Sequence, residues 1–122
     1  FRVEPAADAP AGVQVYRLYG SLFFGAVAKL EGVADRLPPG TRAVVLEMHR
    51  LVSMDTSGLD ALEQLHRALQ RQPVRLLLCD VNAQPLDLMK RAGFDTLLGE
   101  DNLWPDLPLA TTAAEAGLPA SA

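Results

Sequence analysis

This 122-residue chain contains the sequence Met54-Asp55-Thr56-Ser57-Gly58-Leu59 between two apolar segments whose periods differ. Before it, Ala43-Val44-Val45-Leu46 is a continuous apolar run, typical of a strand that is covered on both faces. After it, leucines recur at three- and four-residue steps from Leu59 to Leu69, which predicts an amphipathic helix. The quoted residues are therefore predicted to form the turn at which a buried strand leads into a helix.

The rest of the chain alternates between the same two patterns. Further strands are predicted at 1–4, 13–19, 74–79 and 96–98, and further helices at 23–37, 85–92 and from Pro105 or Leu107 to Ala116. Pro38-Pro39-Gly40 and Gly93 are the predicted ends of two helices. This order predicts an α/β fold in a single domain over residues 1–122, with a core at 13–116, an N-terminal strand and loop at 1–12 and a tail at 117–122.

Composition fits one globular domain. Hydrophobic residues make up 49% of the chain and the net charge is -4, which excludes a disordered polymer. Cys79 is the only cysteine, so no disulfide framework can form and a reducing compartment is expected. No apolar run approaches the ~20 residues of a membrane span, and charged residues interrupt any signal peptide, so the isolated domain is expected to be soluble. Because the chain starts at Phe1, we expect it to be a piece of a longer protein.

The charge distribution argues against a nucleic-acid partner. Eleven basic residues stand against fifteen acidic ones, so the chain lacks the positive surface that binds phosphates. From Asp95 onward the chain has acidic residues and neither Lys nor Arg, and this segment carries the whole negative excess. A solvated face is the expected role of these acids, and a docking patch for a basic partner is the alternative.

The turn after the buried strand is the candidate functional site. Asp55 or Thr56 can cap the free amides of the following helix, and Gly58 allows another backbone to approach. The same helix N-terminus would stabilise a bound anion, or a phosphate placed on Thr56 or Ser57. Capping alone also explains the pattern, so both interpretations stay open.

Known catalytic patterns are incomplete in this sequence, and we expect a protein that is not an enzyme. A Walker loop, a dinucleotide-binding glycine pattern and a nucleophile elbow each lack a required residue. His49 and His66 are far apart, so a metal site is not expected. His49 is predicted to be a polar loop residue and His66 a surface or boundary residue. Cys79 is predicted to be a small buried hydrophobe, and Trp104 an anchor for the last helix.

Four segments, in the same order along the chain, resemble a known family. The turn Asp55-Thr56-Ser57-Gly58-Leu59 is similar to the signature turn of STAS domains, which are named for sulfate transporters and anti-sigma-factor antagonists. The resemblance covers about residues 13–116 and implies a SpoIIAA-like STAS fold, with a mixed sheet of four to five strands and about four helices. The other similar segments are Gly20-Ser21-Leu22-Phe23-Phe24-Gly25 at the first helix, 81–94 at the third helix and 99–105 before the last one.

The resemblance favours the branch of the family attached to SulP-type anion transporters. In free-standing antagonists an Asp follows Gly-x-Leu, whereas Phe23 stands at that position here and Phe24 follows it. Thr56 aligns with the serine that is phosphorylated in the antagonists, so a switch at this residue is chemically possible. For SulP transporters, the resemblance does not imply phosphorylation at this site. Capping remains the competing role of Thr56.

The transporter branch implies a non-catalytic regulatory and assembly domain of a sulfate or bicarbonate transporter, on the cytoplasmic face of the cell membrane. Its expected partners are the transmembrane domain of the parent protein, its dimer mate and other cytoplasmic proteins. Leu22, Phe23 and Phe24 are the candidate contact patch, although the helical period of Phe23 fits a core position better. No cofactor is implied beyond weak binding of an anion or a nucleotide at the turn. The alternative is a free-standing anti-sigma-factor antagonist that is switched by phosphorylation at Thr56 or Ser57.

Overall fold

A five-stranded mixed sheet forms the centre of the computed structural model, which describes residues 1–117. The strands lie side by side in sequence order; β1 is antiparallel to β2, and the remaining neighbours are parallel. The predicted α/β fold with a mixed sheet is therefore confirmed. The strands are β1 (Arg2–Pro5), β2 (Val13–Leu22), β3 (Ala43–Met54), β4 (Arg75–Cys79) and β5 (Leu103–Trp104).

Within residues 1–117, five α-helices and three short 3-10 segments connect and cover these strands. The α-helices are α1 (Val27–Glu31), α2 (Thr56–Arg71), α3 (Ala83–Ala92), α4 (Phe94–Leu98) and α5 (Leu107–Ala116). The 3-10 segments are Phe24–Ala26, Gly32–Arg36 and Glu100–Asn102. Within residues 1–117, no helix combines the length and the apolar character that a membrane crossing requires.

The helices divide between the two faces of the sheet. Helices α1 to α4 pack on one face, where the predicted leucines of α2 are buried against strand residues such as Leu46 and Leu78. Helix α5 packs on the other face, where Ala110 and Ala114 lie against Val45. Both faces of the central strands are thus covered, which is why their sequences are continuously apolar.

The predicted environments of Cys79 and Trp104 are confirmed, and those of the two histidines are wrong. Cys79 is fully buried, and Trp104 packs into the cluster that α5 covers, both as predicted. His66 was predicted to be at the surface or boundary, and this is wrong, because it is 7% exposed and faces Phe94 of α4. His49 lies within β3 rather than in a loop, with its Nδ1 3.2 Å from a carboxylate oxygen of Asp80.

The predicted helix at 23–37 is wrong as a single element. Only α1 is α-helical in this region, and 3-10 segments precede and follow it. Gly25 and Gly32 lie in those segments, and glycine is among the weakest helix formers. Phe23 precedes the helical turns in an extended conformation, so helical periodicity does not place it in the core.

The strand predicted at 96–98 is also wrong, because these residues belong to α4. Phe94 and Leu98 are both buried, and their spacing of four residues places them on one helical face. Gly93, with φ 78°, ends α3 as predicted and starts α4. The fifth strand is β5, in the segment that the sequence assigned to the approach to the last helix.

The predicted position of the last helix is confirmed. Helix α5 starts at Leu107, with Asp106 as its N-cap, and the C-cap is Gly117. The rest of the predicted tail, at 118–122, lies outside the described residues, as does the predicted helix break at Pro119.

Candidate functional site

The predicted turn joins β3 directly to α2 and is capped by its aspartate. The Oδ1 atom of Asp55 accepts a hydrogen bond of 2.8 Å from the amide of Gly58, and Asp55 has the extended backbone of an N-cap residue. The amides of Thr56 and Ser57 are the first two of the helix, and no preceding helical turn can supply their acceptors. Asp55 is therefore the cap, and Thr56 is not.

A close backbone contact holds this turn against the end of β2. The amide of Asp55 donates to the carbonyl oxygen of Leu22 at 3.3 Å. Gly58 lies against the same residue so tightly that a Cβ atom there would overlap the Leu22 carbonyl and come within 2.8 Å of its Cγ. The predicted need for glycine at this position is thus explained by a specific neighbour.

Two side chains at the start of α3 support the turn from another direction: Asn82, the N-cap, and Gln84 in the first turn of the helix. Gln84 binds the backbone of Met54 twice: its Oε1 accepts from the amide at 2.8 Å, and its Nε2 donates to the carbonyl at 3.0 Å. The Nδ2 atom of Asn82 donates to the carbonyls of His49 and Leu51 at 2.9 and 2.8 Å. These bonds hold the part of β3 that extends beyond β4. Two amide side chains at the start of the helix that follows a buried strand are the sequence signal for this role.

The surface beside the turn is aromatic and exposed. Phe24 is 80% exposed and Phe23 46% exposed, and we call these two residues the aromatic rim. Phe24 lines an open depression of about 310 Å³ together with Val27 of α1 and the first turn of α2, including Thr56 and Ser57. The fold therefore brings the two predicted groups of site residues together.

Leu22 is a correction to the predicted contact patch. It is fully buried in the main core, because its side chain ends β2 on the face that α2 covers. It cannot contact a partner directly, and its role is to hold Asp55 and Gly58. Thr56 is exposed and Ser57 is half-buried, so Thr56 is the more accessible hydroxyl.

Cys79 is the one cysteine of the chain, and it is buried at the end of β4. Burial, assisted by the carboxylates of Glu47, Asp80 and Asp106, raises the pKa of Cys79 to about 12, so its thiol is not a nucleophile at neutral pH. Across residues 1–117, no three side chains among His, Cys, Asp and Glu come together in a way that could hold a metal ion. The expected binding of an anion or nucleotide at the turn stays a prediction.

Comparison with known proteins agrees with this geometry. The family model described as "STAS domain" matches residues 4–116. The sulfate transporter family protein of Wolinella succinogenes is 28% identical, with a TM-score of 0.83 and 90% of each chain covered. The STAS domain of a SulP transporter from Vibrio cholerae is 26% identical, with a TM-score of 0.75, over 88% of this chain and 84% of that one.

Sequence relatives with curated descriptions include much longer proteins. Sulfate transporter 1.2 of Arabidopsis thaliana is 30% identical over 66 residues, which is 54% of this chain and 10% of the transporter. The chain thus spans about a tenth of that relative's length. A five-stranded mixed sheet, the capped turn before α2 and a family match over nearly the whole length lead to one assignment: the chain belongs to the STAS domain family and has its SpoIIAA-like fold.

Proposed function

We propose that this chain is the non-catalytic regulatory and assembly domain of a SulP-type membrane transporter for sulfate, bicarbonate or a related anion. In this proposal the domain lies on the cytoplasmic face of the cell membrane, and the transport pathway belongs to another part of the parent protein. The similarity to sulfate transporters and to the STAS domain of a SulP transporter supports the class. The chain spans only a tenth of Sulfate transporter 1.2, which supports the role of an attached domain.

One observation carries the contact role: the aromatic rim is exposed beside a rigid, capped turn. An exposed aromatic side chain loses little conformational entropy on binding and buries a large apolar area, which makes it an effective interface anchor. The bonds from Asp55 and Gln84 fix the backbone beside the rim, so the surface is preorganised. We propose that the rim contacts the transmembrane domain or its dimer mate, with other cytoplasmic proteins as further partners.

We expect Phe24→Ser in the full-length parent protein to lower anion uptake and cross-linking between this domain and the membrane-spanning part severalfold. Leu109→Ser is the matched control, because Leu109 is also an exposed apolar residue, 47% exposed, but lies on α5 across the sheet. Uptake and cross-linking are compared between the two variants at equal expression in the membrane. The isolated domains that carry each substitution should unfold at the same urea concentration as the unchanged chain. Equal uptake and cross-linking in the two variants would contradict the contact role. A parent gene whose start codon lies near Phe1 would contradict the proposed attachment to a transporter.

A second candidate function rests on the exposure of Thr56 at the first position of α2. A phosphate on Thr56 would lie beside the free amides of the helix and would add negative charge next to Asp55. This arrangement supports the alternative of a free-standing anti-sigma-factor antagonist, switched at Thr56 or Ser57.

The alternative predicts that a cognate anti-sigma kinase with ATP adds one phosphate to the peptide that contains Thr56 and Ser57. Thr56→Ala should abolish most of the labelling, and Ser57→Ala should abolish the remainder if the second hydroxyl is used. Mass spectrometry of that peptide is the measurement. An unmodified peptide, under conditions that label a known antagonist, would rule the switch out.

A further inference from the structure

A partly enclosed cavity of about 400 Å³ lies beside the edge strand β1, between the sheet and the 3-10 segment Gly32–Arg36. It is near the start of β2, whereas the aromatic rim follows the end of that strand. Its volume is in the range of small-molecule sites, which are mostly apolar with a few polar groups. Its apolar walls are formed by Val3, Pro5, Val33 and Pro38.

Three polar side chains also line the cavity, and each lacks an internal partner. Within residues 1–117, the side chains of Gln14, Tyr16 and Arg36 make no hydrogen bond to the protein, and no carboxylate lies within 4.0 Å of the Arg36 guanidinium. The guanidinium extends back over Gly32, where a Cβ atom would be 3.0 Å from its Nη2. Arg36 is exposed, and its guanidinium therefore borders the cavity without a carboxylate partner.

The phenol of Tyr16 complements this charge as a hydrogen-bond donor. Tyr16 is 9% exposed, and burial raises the pKa of its hydroxyl, which the nearby charge of Arg36 offsets only in part. The hydroxyl therefore keeps its proton at neutral pH. Arg36 offers a planar set of N–H donors that matches a carboxylate, and the Gln14 amide adds one more donor and one acceptor.

We propose that this cavity binds a small organic carboxylate, with its charged group on Arg36 and Tyr16 and its apolar body against the valine and proline walls. The apolar walls cannot replace the hydration shell around the whole of an inorganic anion such as sulfate, so they favour a ligand that is charged at one end only. This site shares no lining residue with the depression beside the aromatic rim.

Benzoate is a suitable probe, because it joins a carboxylate to a rigid apolar ring. Titration of the 122-residue chain with benzoate should give saturable shifts of the amide resonances of Gln14, Tyr16 and Val33. Arg36→Gln should weaken the affinity by about tenfold or more, because it removes charge-assisted hydrogen bonds. Tyr16→Phe should weaken it by a smaller factor. Arg50→Gln is the matched control, since Arg50 is an exposed arginine near the other end of the sheet, and it should leave the affinity unchanged.

Two further probes test the roles of the charged group and of the apolar walls separately. Benzyl alcohol, which keeps the ring and lacks the charge, should bind the unchanged chain and the Arg36→Gln variant equally weakly. Sodium sulfate at the same ionic strength should not displace benzoate. The proposal is overturned if benzoate leaves these amides unmoved at millimolar concentration, if Arg36→Gln binds as tightly as Arg50→Gln, or if sulfate competes on equal terms.

Discussion

Gly58→Ala is expected to destabilise the domain by about 2–4 kcal/mol, although the same substitution inside a helix is normally favourable by about 1 kcal/mol. The new methyl group would overlap the carbonyl of Leu22. Since that carbonyl accepts the amide of Asp55 and Leu22 is paired with Met54 in the sheet, the contact cannot relax by a side-chain rotation. Either α2 or the end of β2 must move to make room for the methyl group. The substitution is therefore expected to destabilise the domain, whereas glycine to alanine in an ordinary helix stabilises it.

The measurement is urea unfolding followed by circular dichroism, with the loss also visible as a fall in Tm of about 10 °C. Gly25→Ala is the matched control, because a Cβ atom at Gly25 meets no atom within 4 Å. It should change the free energy of unfolding by less than about 0.5 kcal/mol. A Gly58→Ala variant as stable as the unchanged protein would show that the turn and β2 are not in the close contact described.

The neighbourhood of Gly58 shows how much of the fold the sequence predicts. The buried run before the turn and the leucine spacing after it predict a strand and a helix, and both form with Asp55 as the cap between them. These elements are long, and their hydrophobic period is strong, so local pattern and tertiary packing agree. The identity of the backbone that Gly58 approaches could not be predicted, because Leu22 is distant in sequence.

The errors lie where the segments are short. The region from Phe23 to Leu37 has helical spacing, but its glycines weaken the helix and leave only five residues of α1. At 96–98 a Thr-Leu-Leu triplet suggests a strand, while the burial of Phe94 and Leu98 on one side selects a helical turn. Three residues are too few for the spacing of the buried side chains to distinguish a helix from a strand.

The sequence predicted residues of the candidate site but not the hydrogen bonds that hold its backbone in place. Asp55 and Gly58 have the predicted local roles, and Phe24 lies beside Thr56 in space. The bonds from Gln84 to Met54 could not be predicted, because a polar residue at a helix start usually faces solvent. Only the extension of β3 beyond β4 leaves backbone groups for that side chain to bind.

His66 is expected to make the domain less stable in weak acid. Its imidazole is 7% exposed, and within residues 1–117 neither ring nitrogen has a hydrogen-bond partner. Burial is the main cause that lowers the pKa of His66; the charge of Arg67 lowers it further, and Glu63 opposes both. The unfolded chain therefore takes up a proton more readily than the folded one. The free energy of unfolding falls as the pH drops below about 6.5, the ordinary pKa of histidine.

Replacing His66 with leucine should remove this pH dependence and raise stability. Leucine has a similar volume and no nitrogen to leave unpaired beside Phe94, so we expect a gain of about 1–2 kcal/mol at pH 7 and a larger gain at pH 5. His49→Gln is the control: it removes the exposed histidine and should retain the acid-dependent loss that His66 causes. Urea unfolding of the three proteins from pH 5 to 8 measures the slopes. If His66→Leu keeps the slope of the unchanged chain, another group must be responsible, and the imidazole must reach a hydrogen-bond partner in solution.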